Sequence, residues 1–469
     1  MAGPDTRPPA LPPSGNPNSL SARDRRNILH PYTNLRAHEQ TGPLVITRGE
    51  GVRVFDDEGR AYIEAMAGLW CCSLGFSEAR LGAAAADQMS TLPFYHLFGG
   101  KSHTGAIELA ERLINMAPAP FARVLFANSG SEAVDSAVKL VWYANNALGR
   151  PDKKKIIARK RAYHGVTVAA ASLTNLPVNQ TAFDVPLSPM LQTGCPHFYR
   201  EARPGESEEA FAERLACELD ALIVAEGADT VAAVIAEPVM GAGGVIVPPA
   251  TYFDHLQKVT RKHDVWLIAD EVICGFGRTG NMFGSETYAI QPDMLVLAKA
   301  LSAGYAPISA LLVSAPIYEA LADKSAEIGS FGHGFTYSAH PLPAAIALET
   351  LKIYEERDIV AQVRSVMGHF QKRLRAFGDH PLVGEARGVG LIGAIELVAD
   401  KAAKTPFASP GRAGALVAKA SQEVGLIHRA MGDSLAFSPP LVITETEIDE
   451  IFDRFAAALD AAAPQIAAN

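Results

Sequence analysis

A chain of 469 residues, 48% of them hydrophobic and 20% charged, is long enough to bury a large core and to form one large and one smaller domain. Its net charge of -9 and pI near 5.8 argue against nucleic acid or an anionic membrane as a partner, because both attract basic surfaces. Cys71, Cys72, Cys195, Cys217 and Cys274 form no C-x-x-C pair, so neither a disulfide framework nor a thiolate zinc site is expected, no metal ligands are singled out, and reduced thiols in the cytoplasm fit best.

Residues 1–20 carry Pro4, Pro8, Pro9, Pro12, Pro13 and Pro17 and almost no large apolar side chains, which predicts a flexible arm, extended here to residue 27. No basic stretch followed by an apolar one opens the chain, and every apolar run is interrupted well short of membrane-spanning length, so neither a signal peptide nor a membrane span is predicted. Strand-like pieces at 52–55 and 61–63 flank the turn Asp56-Asp57-Glu58-Gly59, a hairpin pattern. Beyond residue 100, β-branched runs at 123–126, 155–158, 231–236, 265–269 and 294–298 alternate with helical patterns. This predicts an α/β fold with a mostly parallel central sheet and helices on both faces, whose ligands bind beyond the carboxyl ends of the strands. The polar residues there are Asn128, Tyr163, Glu237, Asp270 and Lys299. From about residue 341 helices come first, then short strands near 390–397 and a helix over 445–462, which predicts a smaller α+β domain.

The stretch Asn128-Ser129-Gly130-Ser131-Glu132-Ala133 runs from a strand into a helix, with Ser129 and Glu132 at capping-box spacing. Free N–H groups and hydroxyls at such a helix start suit a phosphate dianion. Lys299 ends an apolar strand, where desolvation lowers an amine's pKa and frees it for imine formation. Asp270 ends another, and a buried acid there calls for a cation or a hydrogen-bond donor. A pyridinium nitrogen is such a donor, and a carboxylate beside it keeps the ring protonated as an electron sink.

In order and spacing, Asn128-Ser129-Gly130-Ser131-Glu132-Ala133, Asp270-Glu271-Val272, Gly275-Phe276-Gly277-Arg278-Thr279-Gly280 and Lys299 resemble the class III (ω-) aminotransferases, over nearly all of the chain after the arm. The resemblance implies pyridoxal 5'-phosphate (PLP) as cofactor and the PLP-dependent transferase fold type I. It implies that Lys299 holds the cofactor as a Schiff base, that Asp270 tunes its ring, and that Ser129, Gly130 and Ser131 bind its phosphate. Tyr163 is implied to stack on the pyridine beside His164, Val272 to pack on its other face, and Glu237 to lie near the cofactor hydroxyl. Thr336, with Phe335 beside it, resembles the threonine that reaches the phosphate from the neighbouring subunit, implying a homodimer with shared active sites; a tetramer is left open. Gly68-Leu69-Trp70-Cys71 and His428-Arg429-Ala430-Met431-Gly432-Asp433 resemble the segments by which amine:pyruvate members place a pocket tryptophan, here Trp70, and a mobile arginine, here Arg429. The run Cys71-Cys72-Ser73-Leu74 and the pair Gly99-Gly100 depart from many relatives, which leaves pocket shape open.

The chain is expected to divide into an arm at 1–27, a segment at 28–75 belonging to the small domain, a large PLP-binding domain at 76–340 and a C-terminal small domain at 341–469. The expected reaction is a ping-pong transfer of an amino group from a primary amine or ω-amino acid to a keto acid, pyruvate being favoured. An aminomutase, racemase or decarboxylase on the same fold is the alternative, and an NAD-dependent oxidoreductase a remote one. For the latter, Gly275-Phe276-Gly277-Arg278-Thr279-Gly280 and Gly388-Val389-Gly390-Leu391-Ile392-Gly393 fit G-x-G-x-x-G, but neither leads into a helical pattern. The basic cluster Lys153-Lys154-Lys155 with Arg159-Lys160-Arg161 lacks interleaved aromatics and reads as a solvated connection.

Overall fold

The computed structural model describes residues 18–467. Within the expected flexible arm, Leu20–Asn27 is instead a helix, started by Ser19, whose hydroxyl accepts the Ala22 N–H at 3.2 Å. Residues 1–17 of that expected arm lie outside the described residues. Strands β1 (Ile46–Glu50), β2 (Arg53–Asp56) and β3 (Ala61–Glu64) then pair antiparallel in sequence order. Asp56 builds the turn of the expected hairpin: one carboxylate oxygen accepts the N–H groups of Glu58 at 3.1 Å and Arg60 at 2.8 Å, and the other takes the Tyr62 hydroxyl at 2.8 Å.

The central sheet has seven strands: β4 (Arg123–Ala127), β5 (Lys155–Arg159), β6 (Met190–Thr193), β7 (Val231–Ala236), β8 (Trp266–Asp270), β9 (Met294–Leu297) and β10 (Ser309–Val313). Their spatial order is β4-β10-β9-β8-β7-β5-β6, and all run parallel except β10, which is antiparallel to both its neighbours. Helices cover both faces, so β7, β9 and β10 are buried along their whole length and read as unbroken apolar runs. The strand pattern in the sequence omits β6 and β10. A short apolar run such as Ala310-Leu311-Leu312-Val313 carries no periodicity that separates a buried strand from a buried helix.

After the helices Pro341–Glu356 and Ile359–Ala376, a second antiparallel sheet forms from β11 (Val383–Val389) and β12 (Ile392–Leu397), completed after β13 (Leu426–Ile427) by β14 (Arg429–Met431) and β15 (Ser434–Phe437), in the order β11-β12-β15-β14. β13 joins β3 in parallel, pairing Leu426 with Ile63 and Ile427 with Glu64, so residues from both ends of the chain share one sheet. The second G-x-G-x-x-G run is the β11–β12 hairpin, with Gly390 at φ +56° where a side chain would strike Arg278 and Thr279 backbone.

The basic cluster corrects the expected solvated connection. Lys153 and Arg159 are buried. Arg159 donates to the Glu237 carbonyl at 2.5 Å, with the rings of Tyr252 and Phe253 within 5.9 and 5.8 Å of its guanidinium carbon. A guanidinium on apolar rings is tolerated inside a protein better than an ammonium because it is more weakly hydrated.

Candidate active site

The carboxyl ends of β4, β8 and β9 open onto one cavity of about 450 Å³. Asn128, Ser129, Gly130, Ser131, Tyr163, His164, Glu237, Asp270, Val272 and Lys299 all line it, together with Cys71 and Ile308 among others. Every expected cofactor residue except Phe335 and Thr336 therefore faces one space.

One end is the start of the helix Gly130–Ala147. Ser129 caps it, its hydroxyl accepting the Glu132 N–H at 3.2 Å. The expected capping box closes only by half. The Glu132 carboxylate accepts the N–H of Asn128 at 2.7 Å and its side-chain amide at 3.0 Å, one residue before the cap. Two glycines keep this end open: a Cβ on Gly130 would lie 3.2 Å from a Val272 methyl, and one on Gly165 would lie 2.5 Å from the Ser131 hydroxyl. Ser131 accepts the Val166 N–H at 3.1 Å, which fixes its hydroxyl beside the free N–H groups of the first turn.

Asp270 lies deeper. Its carboxylate accepts His164 Nδ1–H at 2.7 Å and the Val272 N–H at 3.1 Å. His164 Nε2 is buried and has no partner. Glu271, next in sequence, turns away from the cavity and accepts the N–H groups of Gly284 at 2.9 Å and Ser285 at 2.5 Å; burial pushes its pKa up to about 7. The acid pair thus splits into one member aimed at the site and one that holds a turn. Glu237 is not the surface carboxylate its type alone suggests: it is 3% exposed, and its two oxygens accept the N–H groups of Tyr163 at 3.1 Å and Gly241 at 2.8 Å. Burial raises its pKa.

Lys299 leaves β9 with φ +48°, a left-handed conformation that costs a side-chain-bearing residue on the order of 1–3 kcal/mol and is held only by surrounding structure. Its amine makes no hydrogen bond or ion pair with the described residues. Desolvation by the surrounding protein lowers its pKa below the ordinary lysine value.

The remaining expected residues fall into two groups, neither of which lines the cavity. Trp70 is buried in a turn where Ala67, Gly68 and Trp70 all have positive φ, and the Arg429 guanidinium carbon lies 4.8 Å from its ring centroid. Arg429 is half-buried with no carboxylate partner among the described residues, and burial lowers its pKa. Phe335 and Thr336 do not line this chain's cavity; Thr336 is exposed and Phe335 packs edge-on against His333, centroids 5.5 Å apart.

Sequence reasoning missed Tyr32. Its hydroxyl accepts the Asn179 amide at 2.5 Å and lies 3.5 Å from the Tyr163 hydroxyl, at the edge of the cavity. A tyrosine in an irregular loop so far from the other site residues gives no periodic signal. Arg159 ends β5 within the basic cluster, and nothing local in the sequence signals that its side chain turns inward.

A lysine free of partners, an aspartate locked by a histidine and a helix start, facing one another across a cavity at the strand ends of a mostly parallel sheet, define a PLP enzyme of fold type I. Comparison with known proteins agrees. The family model for aminotransferase class-III matches residues 35–459. The gamma aminobutyrate transaminase 1, mitochondrial, of Solanum lycopersicum is 49% identical over 448 residues, which is 94% of this chain and 87% of that protein. The omega transaminase of Pseudomonas jessenii, solved in complex with PMP, is 57% identical with a TM-score of 0.94, covering 96% of this chain and 99% of that one. A thermostable omega transaminase variant engineered for asymmetric synthesis of enantiopure bulky amines is also 57% identical, with a TM-score of 0.95 and coverage of 96% and 100%. The chain belongs to the class-III aminotransferases, and it is a PLP-dependent transaminase. Its residues fit the cofactor: the glycine-lined space beside Val272 and the free amine of Lys299 are features that a bound group would complete.

Proposed function

We propose that this enzyme transfers the amino group of a primary amine or ω-amino acid to pyruvate by a ping-pong mechanism, as a homodimer. The observation that carries the substrate reading is Arg429: a desolvated guanidinium resting on the Trp70 ring, with no carboxylate of its own among the described residues. Such a cation gains most from a substrate carboxylate, which it can grip through two parallel N–H bonds. Keto acids and ω-amino acids carry one. The names of the relatives support both donor types, gamma-aminobutyrate on one side and bulky amines on the other.

In this reading Ser129, Gly130 and Ser131 hold the cofactor phosphate, Asp270 holds its ring nitrogen, and Tyr163 and Val272 flank the ring. When bound, the cofactor supplies an aldehyde for the amine and a ring that accepts the electron pair left at the substrate carbon. Lys299 is the covalent anchor. Once a substrate amine displaces it, its Nζ is poised as a base, because desolvation disfavours the ammonium form. It takes a proton from the substrate carbon in the first half-reaction and returns one there in the second. His164 holds Asp270 in orientation through Nδ1, and Glu237 fixes the backbone under Tyr163. Arg429 binds the acceptor carboxylate, then retreats along the Trp70 face when the donor is uncharged.

Two observations support the homodimer. Phe335 and Thr336 stand outside their own chain's cavity, and the apolar side chains of Phe94, Phe98 and Tyr337 beside them are exposed. Residence in the cytoplasm is inferred from five free cysteines, Cys217 among them exposed. Among the described residues no helix is long and apolar enough to cross a membrane.

The test is the visible absorption of the purified holoenzyme as primary amines, with gamma-aminobutyrate among them, are added without a keto acid. A band removed by such donors and restored by pyruvate is the expected result. A band that no amine removes, or that only 2-oxoglutarate restores, overturns the substrate assignment.

A further inference from the structure

We propose a second, non-catalytic site: a divalent transition-metal ion of the zinc type, held by Asp24, His30 and His38. Asp24 lies in the helix Leu20–Asn27, His38 in the helix Leu35–Thr41, and His30 in the loop between them. The Asp24 carboxylate lies 2.8 Å from His30 Nε2 and 3.0 Å from His38 Nε2, the two imidazole rings are 4.2 Å apart, and all three donor atoms fall within 4.8 Å of one another. Two imidazoles and one carboxylate make a donor set that zinc accepts, with a fourth position for water. Zinc bonds of about 2.0–2.1 Å place tetrahedral ligand atoms roughly 3.3 Å apart, so each Asp24–histidine separation needs to open by only a few tenths of an ångström. Each neutral imidazole then carries its proton on Nδ1 and presents Nε2 to the metal. The cysteine spacing that argued against a thiolate site does not bear on this one.

The surroundings give an independent reason for such a staple. Ala22 is the one buried residue of the two helices, so packing supplies little to hold them together. They are tied instead by polar contacts, with Arg25 donating to the Glu39 carbonyl at 3.1 Å. A segment that buries almost no apolar surface is where a metal ion contributes most. The loop that the ion would fasten also carries Tyr32, whose hydroxyl meets Asn179 and Tyr163 at the cavity edge. Occupancy would therefore stiffen the entrance without touching the cofactor.

The experiment is calorimetric titration of tag-free, chelator-treated holoenzyme with zinc chloride, alongside hydrogen exchange of residues 28–34. Wild type should bind one tight equivalent per chain and show slower exchange in that loop on addition of zinc. His30→Ala/His38→Ala should lose that equivalent and the exchange response while keeping the cofactor absorption band. Should the double variant fold poorly, Asp24→Asn provides the second arm, since it retains an acceptor oxygen for the histidines but loses the ligand charge; at least a tenfold weaker affinity is expected. No tight equivalent in wild type, or an equal one in the variants, overturns the proposal.

Discussion

The residues proposed to hold the cofactor and those proposed to meet the substrate are built on different plans. Asp270 ends β8, and Ser129 and Lys299 come two residues after β4 and β9; all three strands belong to one buried sheet, β8 beside β9 and β10 between β9 and β4, and the sheet's hydrogen bonds set their spacing. Trp70 and Arg429 sit instead on a strained turn and an edge strand of the second sheet, and Tyr32 on a loop between two short helices. A site that must bind one unchanging cofactor is carried by the rigid element. The part proposed to admit both a charged acid and an apolar amine is carried by a turn, an edge strand and a loop, elements that reposition at lower cost than a central strand.

The sharpest way to break this contrast is at Lys299. Lys299→Ala should lower turnover by about a thousandfold or more and abolish the visible band of the bound cofactor; retained activity would remove the cofactor side from the mechanism. Lys299 also makes a pH prediction. With the amine's pKa lowered, the fraction of free amine in the apoenzyme rises at lower pH than for an ordinary lysine. The rate of recombination with PLP should accordingly climb with pH to a midpoint below the ordinary lysine value of 10.5. A midpoint at that value would mean that Lys299 is solvated.

The substrate side should respond more mildly. Arg429→Ala should raise KM for pyruvate by about 10- to 100-fold, the range of one lost charge-assisted contact, and leave KM for an uncharged amine nearly unchanged. Equal effects on both substrates would sink the proposed role.

The smallest effect is expected at Glu64, which supports the Trp70 turn by accepting the Gly68 N–H. Burial pushes its pKa up to about 8, far above an unfolded carboxylate. The folded state therefore binds this proton more tightly than the unfolded state, and the stabilisation is complete at low pH and lost as pH rises from the unfolded value through about 8. Glu64→Gln, which cannot ionise, should match wild type at pH 5 in urea unfolding and gain on it at pH 9. Parallel curves at both pH values would show that Glu64 is solvated or otherwise neutralised.

The sequence by itself pointed to the residues proposed to hold the cofactor. Apolar runs ending in Asp270 and Lys299 and the small-residue turn before the helix from Gly130 are local patterns, and local patterns survive into the fold because each is one strand or one helix start. The class of reaction followed from them through the family resemblance. What only the tertiary structure decided are the relations between distant segments: β10 running against its neighbours, the pairing of β3 with β13, and Arg159 turned inward from a cluster that reads as surface. The same holds for Tyr32 at the cavity edge, and for Asp24, His30 and His38 closing on one point. A side chain's type and spacing give its chemistry, whereas its burial and partners depend on which other segment packs against it, and that is fixed only when the whole chain has found its core.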